Sequence, residues 1–366
     1  MKVLTVVGAR PQFIKAAVVS REIRKVAEEY LVHTGQHYDS NMSKIFFDEL
    51  HIPEPDVNLA VGSASHAVQT AEMMIRLEEV MKKETPDIVL LYGDTNSTLA
   101  GAIVAGKLNI PIAHVEAGVR CNVKDMPEEQ NRIVTDHLAR WNFVPSQEGM
   151  DYIKKEGLAD NSYFVGDVMY DALLYYGELV ADWTKDSFFQ KTEALDNKTP
   201  DALIENGWYL TTIHRPENTD DISKFREILR GLESLDKPVI FPIHPRTRKN
   251  ITEQEMTEYS NIHFVKPLGY LEMIWCCKNA KKVITDSGGL HKESYLMRVP
   301  GVVVLRNTAW CETLEGDWNV LASPDAEDIV NKVMNIQAKP ECWKPYYGDG
   351  EAAKKIVKIL MDSFKA

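Results

Sequence analysis

The run Val3-Leu4-Thr5-Val6-Val7-Gly8-Ala9-Arg10-Pro11-Gln12-Phe13-Ile14-Lys15 decides the fold. Five mostly apolar residues read as a buried strand, and a short loop hands them to a helix. Two later stretches repeat the handover. Tyr209 to Ile213 runs into His214-Arg215-Pro216-Glu217-Asn218, and Lys282 to Thr285 runs into Asp286-Ser287-Gly288-Gly289. In open α/β sheets, ligands collect at the carboxyl ends of the strands. Gly288 and Gly289 open a helix, whose free N–H groups and dipole suit a phosphate. Arg10, Lys15, His214 and Arg215 are cations that suit a pyrophosphate. The runs are far apart in sequence, which predicts a ligand held between two domains.

Outward from these runs, strand-like and helix-like segments alternate, the pattern of parallel sheets with helices on both faces. The first series predicts strands at Val3–Val7, Tyr30–Thr34, Ile88–Tyr92, Ile112–Val115, Trp141–Val144 and Tyr163–Val165. Helices are predicted at His66–Lys83, Asn96–Lys107 and Pro127–Arg140, followed by a more polar helical stretch to about Asn206 with a loop at 196–201. The second series predicts strands at Tyr209–Ile213, Val239–Ile243, Ile262–Val265, Lys282–Thr285 and Val302–Leu305. Glu351–Phe364 has the spacing of an amphipathic helix. The 366 residues suit two domains.

Composition narrows the partners. The net charge of −12 disfavours nucleic acid, and an anionic ligand then needs a local cationic cleft. The five cysteines show no CxxC spacing, so reduced thiols are expected. Met1 to Gly8 runs straight into a strand without a signal-peptide layout, and no apolar stretch approaches a membrane span. These features predict a cytoplasmic protein with no membrane partner.

Several acids stand at strand ends. Asp94 follows Val89–Gly93 and reads either as a ligand or catalytic group or as part of the next helix cap. Glu116 follows Ile112–Val115; a functional carboxylate and a structural salt bridge to Arg120 fit it equally. Glu128, Arg132 and Asp136 share one face of a helix that Pro127 opens. That face reads either as a solvated charge ladder or, beside Asp94 and Glu116, as a third carboxylate oriented by an arginine. His214 gains weight from Arg215 beside it, and His244-Pro245-Arg246 is a weaker version of the same signal. The run Asp286 to Gly289 reads equally as a phosphate site, with Glu293 one turn in placed to bind ribose hydroxyls, and as an Asp/Ser helix cap whose glycines serve packing alone. There is no GxGxxG after the first strand, no Walker A run, no zinc spacing and no GxSxG.

Together these runs resemble the non-hydrolysing UDP-N-acetylglucosamine 2-epimerase family. The resemblance spans Gly8–Lys15, His33–His37, Tyr92–Gly101, His114–Arg120, Met126–His137, His214–Asn218, Asp286–Glu293 and Tyr347–Gly350. It implies an α/β fold of two Rossmann-like domains facing a cleft, like the B-type glycosyltransferases. Residues 1–170 with a closing helix at 346–366 would form the sugar-handling domain, and 171–345 the UDP domain. It implies catalytic roles for Asp94, Glu116, Glu128, His214 and Lys15. Substrate contacts would come from Arg10, Arg132, Arg215, Gln12, His244, Ser287, Gly288, Gly289 and Glu293. It implies a UDP-sugar substrate, a homodimer, and no metal or cofactor.

Two departures are visible. Asn307-Thr308-Ala309-Trp310 stands where the family commonly has Asp-Thr-Thr-Glu, so an acid is lost, and Cys121-Asn122-Val123-Lys124 replaces the usual stretch after Arg120. Gly8–Phe13 is closer to the branch resembling UDP-2,3-diacetamido-2,3-dideoxyglucuronate 2-epimerases. If Gln12 lies near the sugar, a neutral side chain there admits a C6 carboxylate that a glutamate would repel. A glycosyltransferase of the same fold, a hydrolysing epimerase and a non-catalytic UDP-sugar sensor are the rival readings.

Overall fold

The computed structural model describes residues 1–36, 50, 52–196, 198, 205 and 207–365. The chain divides into two compact units, Met1–Leu174 with Pro345–Ala366, and Tyr175–Lys344.

The first unit carries β1 (Lys2–Val7), α1 (Arg10–Ile23), β2 (Glu28–His33), β3 (Val57–Asn58), α2 (His66–Glu84), β4 (Ile88–Tyr92), α3 (Asn96–Lys107) and β5 (Ile112–Val115). It continues through α4 (Pro127–Leu138), β6 (Trp141–Val144), α5 (Gln147–Lys155), β7 (Ser162–Phe164) and the start of α6 (Val168–Leu179). Its seven strands are parallel, in the order β3-β2-β1-β4-β5-β6-β7. The apolar runs of β1 and β4 are buried on both faces, as parallel strands flanked by helices must be. Leu4, Val6, Met73, Leu77, Val89, Leu91 and Val104 form the core between that sheet and its helices.

The second unit carries α7 (Lys185–Lys191), β8 (Tyr209–Thr212), α8 (Pro216–Thr219), α9 (Ile222–Glu233), β9 (Val239–Pro242), α10 (Pro245–Arg248), α11 (Glu253–Glu258) and β10 (Ile262–Val265). After these come α12 (Tyr270–Asn279), β11 (Lys282–Thr285), α13 (Gly288–Leu296), β12 (Gly301–Val303), β13 (Asn319–Leu321) and α14 (Ala326–Asn335). Its six parallel strands run β10-β9-β8-β11-β12-β13. In both sheets the strand order reverses beside the first strand, between β1 and β4 and between β8 and β11. Such a reversal opens a crevice at the strand ends, which makes both units Rossmann-like.

The closing helix α15 (Ala352–Lys365) belongs to the first unit. Asp171 caps it, accepting the amides of Ala352 at 3.1 Å and Ala353 at 2.7 Å. At its far end Phe364 packs on Trp141, 6.0 Å between ring centroids.

Candidate functional site

At the carboxyl ends of β1 and β4 lies a cavity of about 210 Å³, lined by Gln12, Lys15, His66, Asp94, Asn96 and Glu128 among others. Sequence dictates how tightly its floor is built. A Cβ on Gly8 would lie 2.2 Å from both Ser97 Oγ and Thr34 Oγ1, so only glycine lets the β1–α1 loop pass. Gln12 then locks that loop. Its Oε1 accepts the amides of Gly8 (2.8 Å) and Ala9 (3.0 Å), and its Nε2 donates to Tyr92 O (2.7 Å) and to the hydroxyls of Thr95 and Thr98. The side chain is 1% exposed. Gln12 borders the cavity, as the sequence reading requires of a sugar contact, and its amide is engaged within the protein, as the reading of residue 12 as packing for the first helix also requires.

Lys15, one turn further along α1, is buried and pairs with Glu116. Its ammonium is 3.3 Å from where a Cβ on Gly93 would be, so it stands between the β4 and β5 loops. Glu116 has φ +70°, the left-handed region that side-chain-bearing residues rarely adopt. Such backbone costs about 1–3 kcal/mol and gathers at functional sites. It is held there because the amides of Glu116 and Ala117 both donate to Phe143 O at 3.1 Å. Of the two readings left open for Glu116, the ion pair is real but its partner is Lys15. Arg120 instead pairs with Asp136 at 2.7 Å and Glu156 at 2.8 Å.

The solvated-ladder reading of α4 also fails. Arg132 and Asp136 are buried, while Glu128 is half-buried at the cavity edge. Arg132 binds Asp94 and, at 2.8 Å, Glu129. Burial alone lowers the pKa of its guanidinium, but the charge and hydrogen bond of Asp94 reverse this and leave it raised. Asn131 Nδ2 donates to the Asp94 carbonyl at 2.9 Å, so α4 grips that residue twice. Glu129, absent from the predicted set, accepts the amides of Cys121 and Asn122 at 2.9–3.1 Å and shapes the loop after Arg120.

In the second unit, β8 and β11 end side by side. Asp286, fully buried, accepts the amides of His214 (3.0 Å) and Arg215 (2.9 Å) and Asn218 Nδ2 (3.1 Å). This fixes the turn that carries His214 and Arg215. The His244 ring lies 5.5 Å from that of His214, and its Nδ1 accepts Arg246 N at 3.1 Å as the cap of α10. Ser287 caps α13, accepting Leu290 N at 3.4 Å. A Cβ on Gly288 would be 3.8 Å from Arg215 Nη2 and 3.7 Å from Trp310 Nε1, so an arginine and the departing tryptophan flank the open helix end. Lys292 lies 4.1 Å from the centre of a Trp310 ring, and Glu293 is buried on the same helix. Asp286 and Asn218 were missed as site residues, although both sit inside quoted runs; a buried acid at a strand end was the available signal.

Of the remaining predicted features, Arg10 opens α1, and His37 lies outside the described residues. No helix among the described residues is long and apolar enough to cross a membrane.

Two Rossmann-like units, one with clustered carboxylates and cations and one with an open Gly-Gly helix end, fit a class of α/β enzyme that takes a phosphate-bearing ligand. The sequence profile of the UDP-N-acetylglucosamine 2-epimerase family matches residues 21–361. A UDP-N-acetylglucosamine 2-epimerase homolog of Methanococcus maripaludis is 46% identical, the alignment covering 98% of this chain and 99% of the relative. The UDP-2,3-diacetamido-2,3-dideoxy-D-glucuronate 2-epimerase of Pseudomonas aeruginosa is 40% identical over the same shares. The crystal structure of Methanocaldococcus jannaschii UDP-GlcNAc 2-epimerase, in complex with UDP-GlcNAc and UDP, has a TM-score of 0.85 at 36% identity, covering 99% of this chain and 100% of that one. The chain belongs to the UDP-N-acetylglucosamine 2-epimerase family and is an epimerase acting at C2 of a UDP-sugar.

Proposed function

We propose that the protein inverts C2 of a UDP-2-acetamido sugar, UDP-N-acetylglucosamine or its 2,3-diacetamido uronate analogue, by eliminating and re-adding UDP. The observation that carries this reading is the convergence at one cavity of Asp94, Glu128 and Lys15, with Glu116 held on Lys15. The hydrogen at C2 is not acidic in the ground state. As the C1–O bond breaks, its electron pair leaves with UDP and C1 becomes cation-like, so a carboxylate can take the C2 proton. A C1–C2 double bond forms, giving a glycal. A proton then returns to the opposite face, and a phosphate oxygen of UDP re-adds to C1. Two faces need two proton-handling groups, which accounts for several carboxylates in one place.

Lys15 and Arg132 offset the negative charge of those carboxylates. The α13 terminus at Gly288, with Arg215, His214 and Ser287, favours the leaving diphosphate electrostatically, and Glu293 suits the ribose hydroxyls. Arg10 and His244 complete the proposed binding set. The resemblance extends the proposal to a cytoplasmic homodimer making precursors of surface polysaccharides, which sedimentation tests for the dimer.

The test is a panel of UDP-sugars followed by NMR in heavy water, without added NAD or metal. Inversion at C2 with deuterium gained there is expected. Epimer without deuterium at C2 in either isomer counts against a solvent-exchanging base. Release of free sugar and UDP as the main products favours the hydrolysing reading.

A further inference from the structure

We propose that His114, Asp136 and Arg120 form a buried bracket that sets the positions of Asp94 and Glu116, with His114 bridging the Gly93 carbonyl and the Asp136 carboxyl group. The functional part rests on reading Asp94 and Glu116 as reacting carboxylates.

His114 lies in β5 with 0% exposure. Its Nε2 is 2.7 Å from the Gly93 carbonyl oxygen. A carbonyl oxygen only accepts, so Nε2 bears a proton. Its Nδ1 is 2.6 Å from Asp136 Oδ1. The other Asp136 oxygen accepts Gly118 N at 3.0 Å and lies 2.7 Å from Arg120 Nη2. Burial pushes the Asp136 carboxyl upward, but His114 and Arg120 outweigh it and hold it below the usual carboxylate range. Nδ1 and Asp136 Oδ1 are therefore joined by one short hydrogen bond.

Arg120 also forks onto Glu156, Nε and Nη2 each at 2.8 Å from a carboxylate oxygen. His137, more exposed, faces the same Glu156 at 3.1 Å. His114, Asp136, Arg120 and Glu156 therefore link in series through the bracket, with Arg120 between two carboxylates. Buried charges persist only when paired in this way.

The bracket's two ends are what give it a task. One holds the carbonyl of Gly93, the residue before Asp94, at φ +62°. The other holds the amide of Gly118, two residues after Glu116, at φ +78°. Both carboxylates thus ride on left-handed turns, whose other ties are the Gly93 amide on Val115 O, the Glu116 and Ala117 amides on Phe143 O, and Asn131 on Asp94 O. One rigid ionic group ties the two turns together through the body of β5. Misplacing a reacting group by about 1 Å can cost ~10²-fold in rate. His114, Asp136 and Arg120 are positioning residues and need not touch the sugar.

The test combines a spectroscopic readout with kinetics on the full chain. With ¹⁵N-labelled histidine, wild-type His114 should show a protonated Nε2 and a strongly hydrogen-bonded Nδ1, and Asp136→Asn should shift the Nδ1 signal while Nε2 stays protonated. His114→Gln keeps a donor near the Nε2 position toward Gly93, whereas His114→Asn keeps one near Nδ1 toward Asp136. Asp136→Asn and His114→Asn should lose about 10²-fold in kcat while KM moves little, and His114→Gln should lose about tenfold or less. The isotope effect with C2-deuterated substrate should rise as proton transfer becomes limiting.

A wild-type His114 ring without a proton on Nε2, or unchanged kcat in Asp136→Asn and His114→Asn, overturns the proposal. Equal losses in kcat and UDP affinity in all three folded variants do so too. Asp94→Asn and Glu116→Gln run alongside. If they retain turnover, the carboxylate reading fails and the positioning role with it. If they lose turnover while the bracket variants do not, only the bracket proposal fails.

Discussion

The Asp286 carboxylate holds the backbone amide of His214 at 3.0 Å, tying the end of β11 to the turn after β8. It holds the Arg215 amide and Asn218 Nδ2 as well, so one buried anion organises the whole turn. Hydrogen bonds to a charged acceptor contribute ~1.5–3 kcal/mol each, and donors left unmatched add a desolvation penalty. Asp286→Ala should therefore lower stability by several kcal/mol. Asp286→Asn, which keeps one acceptor oxygen, should stay folded and bind UDP at least about tenfold more weakly, roughly 1.4 kcal/mol. Titration calorimetry with UDP checks this. Wild-type affinity in Asp286→Asn would show that the turn does not contribute to the UDP site.

Gln12 gives a prediction that separates packing from substrate choice. In Gln12→Glu, the donor to Tyr92 O is replaced by an oxygen facing that carbonyl. The loss of a buried hydrogen bond with an unmatched acceptor costs ~1–3 kcal/mol. The variant should melt lower and lose turnover on UDP-N-acetylglucosamine and on the diacetamido uronate substrate alike. Turnover lost on the uronate alone, with stability unchanged, would establish Gln12 as a sugar contact.

The Lys15–Glu116 pair makes Glu116 the sharpest catalytic test. Glu116→Gln keeps the shape and removes the base, and the same holds for Asp94→Asn and Glu128→Gln. Each should retain UDP binding and lose turnover by ~10²–10⁴-fold. Glu293→Ala should do the reverse, weakening UDP with the chemistry spared at saturation. Near-normal turnover in all three carboxylate variants, followed by NMR of the C2 proton, would remove these residues from the mechanism.

Much of this architecture was legible because buried parallel strands are near-continuous apolar runs. Ile88–Tyr92, Ile112–Val115 and Lys282–Thr285 have the predicted bounds. The strands Val57–Asn58 and Asn319–Leu321 escaped notice, since two or three residues at a sheet edge carry no readable period. Residue types at strand ends marked Asp94, Glu116 and His214 as candidates. Their partners were not legible, because pairing depends on which loops the sheet brings together. Arg120 is four residues from Glu116 in sequence yet binds Asp136 and Glu156, while Lys15, about a hundred residues away, holds Glu116. His114 looked like an ordinary strand residue, since nothing local announces that both its nitrogens meet acceptors.

His291 supplies the pH prediction. Thr313 Oγ1 donates to Trp310 O (2.7 Å), so it accepts from His291 Nε2 at 2.6 Å. Thr308 Oγ1 accepts Trp310 N (3.1 Å) and donates to His291 Nδ1 (3.2 Å). The network uses a neutral ring protonated at Nε2, and it pins the Trp310 loop to α13. Burial first, then the charges of Lys292 and Arg215, push the ring's pKa down to about 3. The unfolded chain takes up this proton near pH 6.5, whereas the folded chain does not until about pH 3. The unfolded state therefore binds more protons in that window, and stability falls as pH drops below about 6.5, by ~1.4 kcal/mol per unit. Between pH 7 and 5 the His291 contribution amounts to a loss of about 2 kcal/mol. His291→Gln cannot titrate there and still offers a donor and an acceptor. Urea denaturation of both proteins at pH 7 and 5 should show the variant losing about 2 kcal/mol less than wild type, the other titrating groups cancelling in the difference. Equal acid sensitivity in the two proteins would mean that His291 can take up its proton in the fold, and the hydroxyl network assigned to it would be wrong.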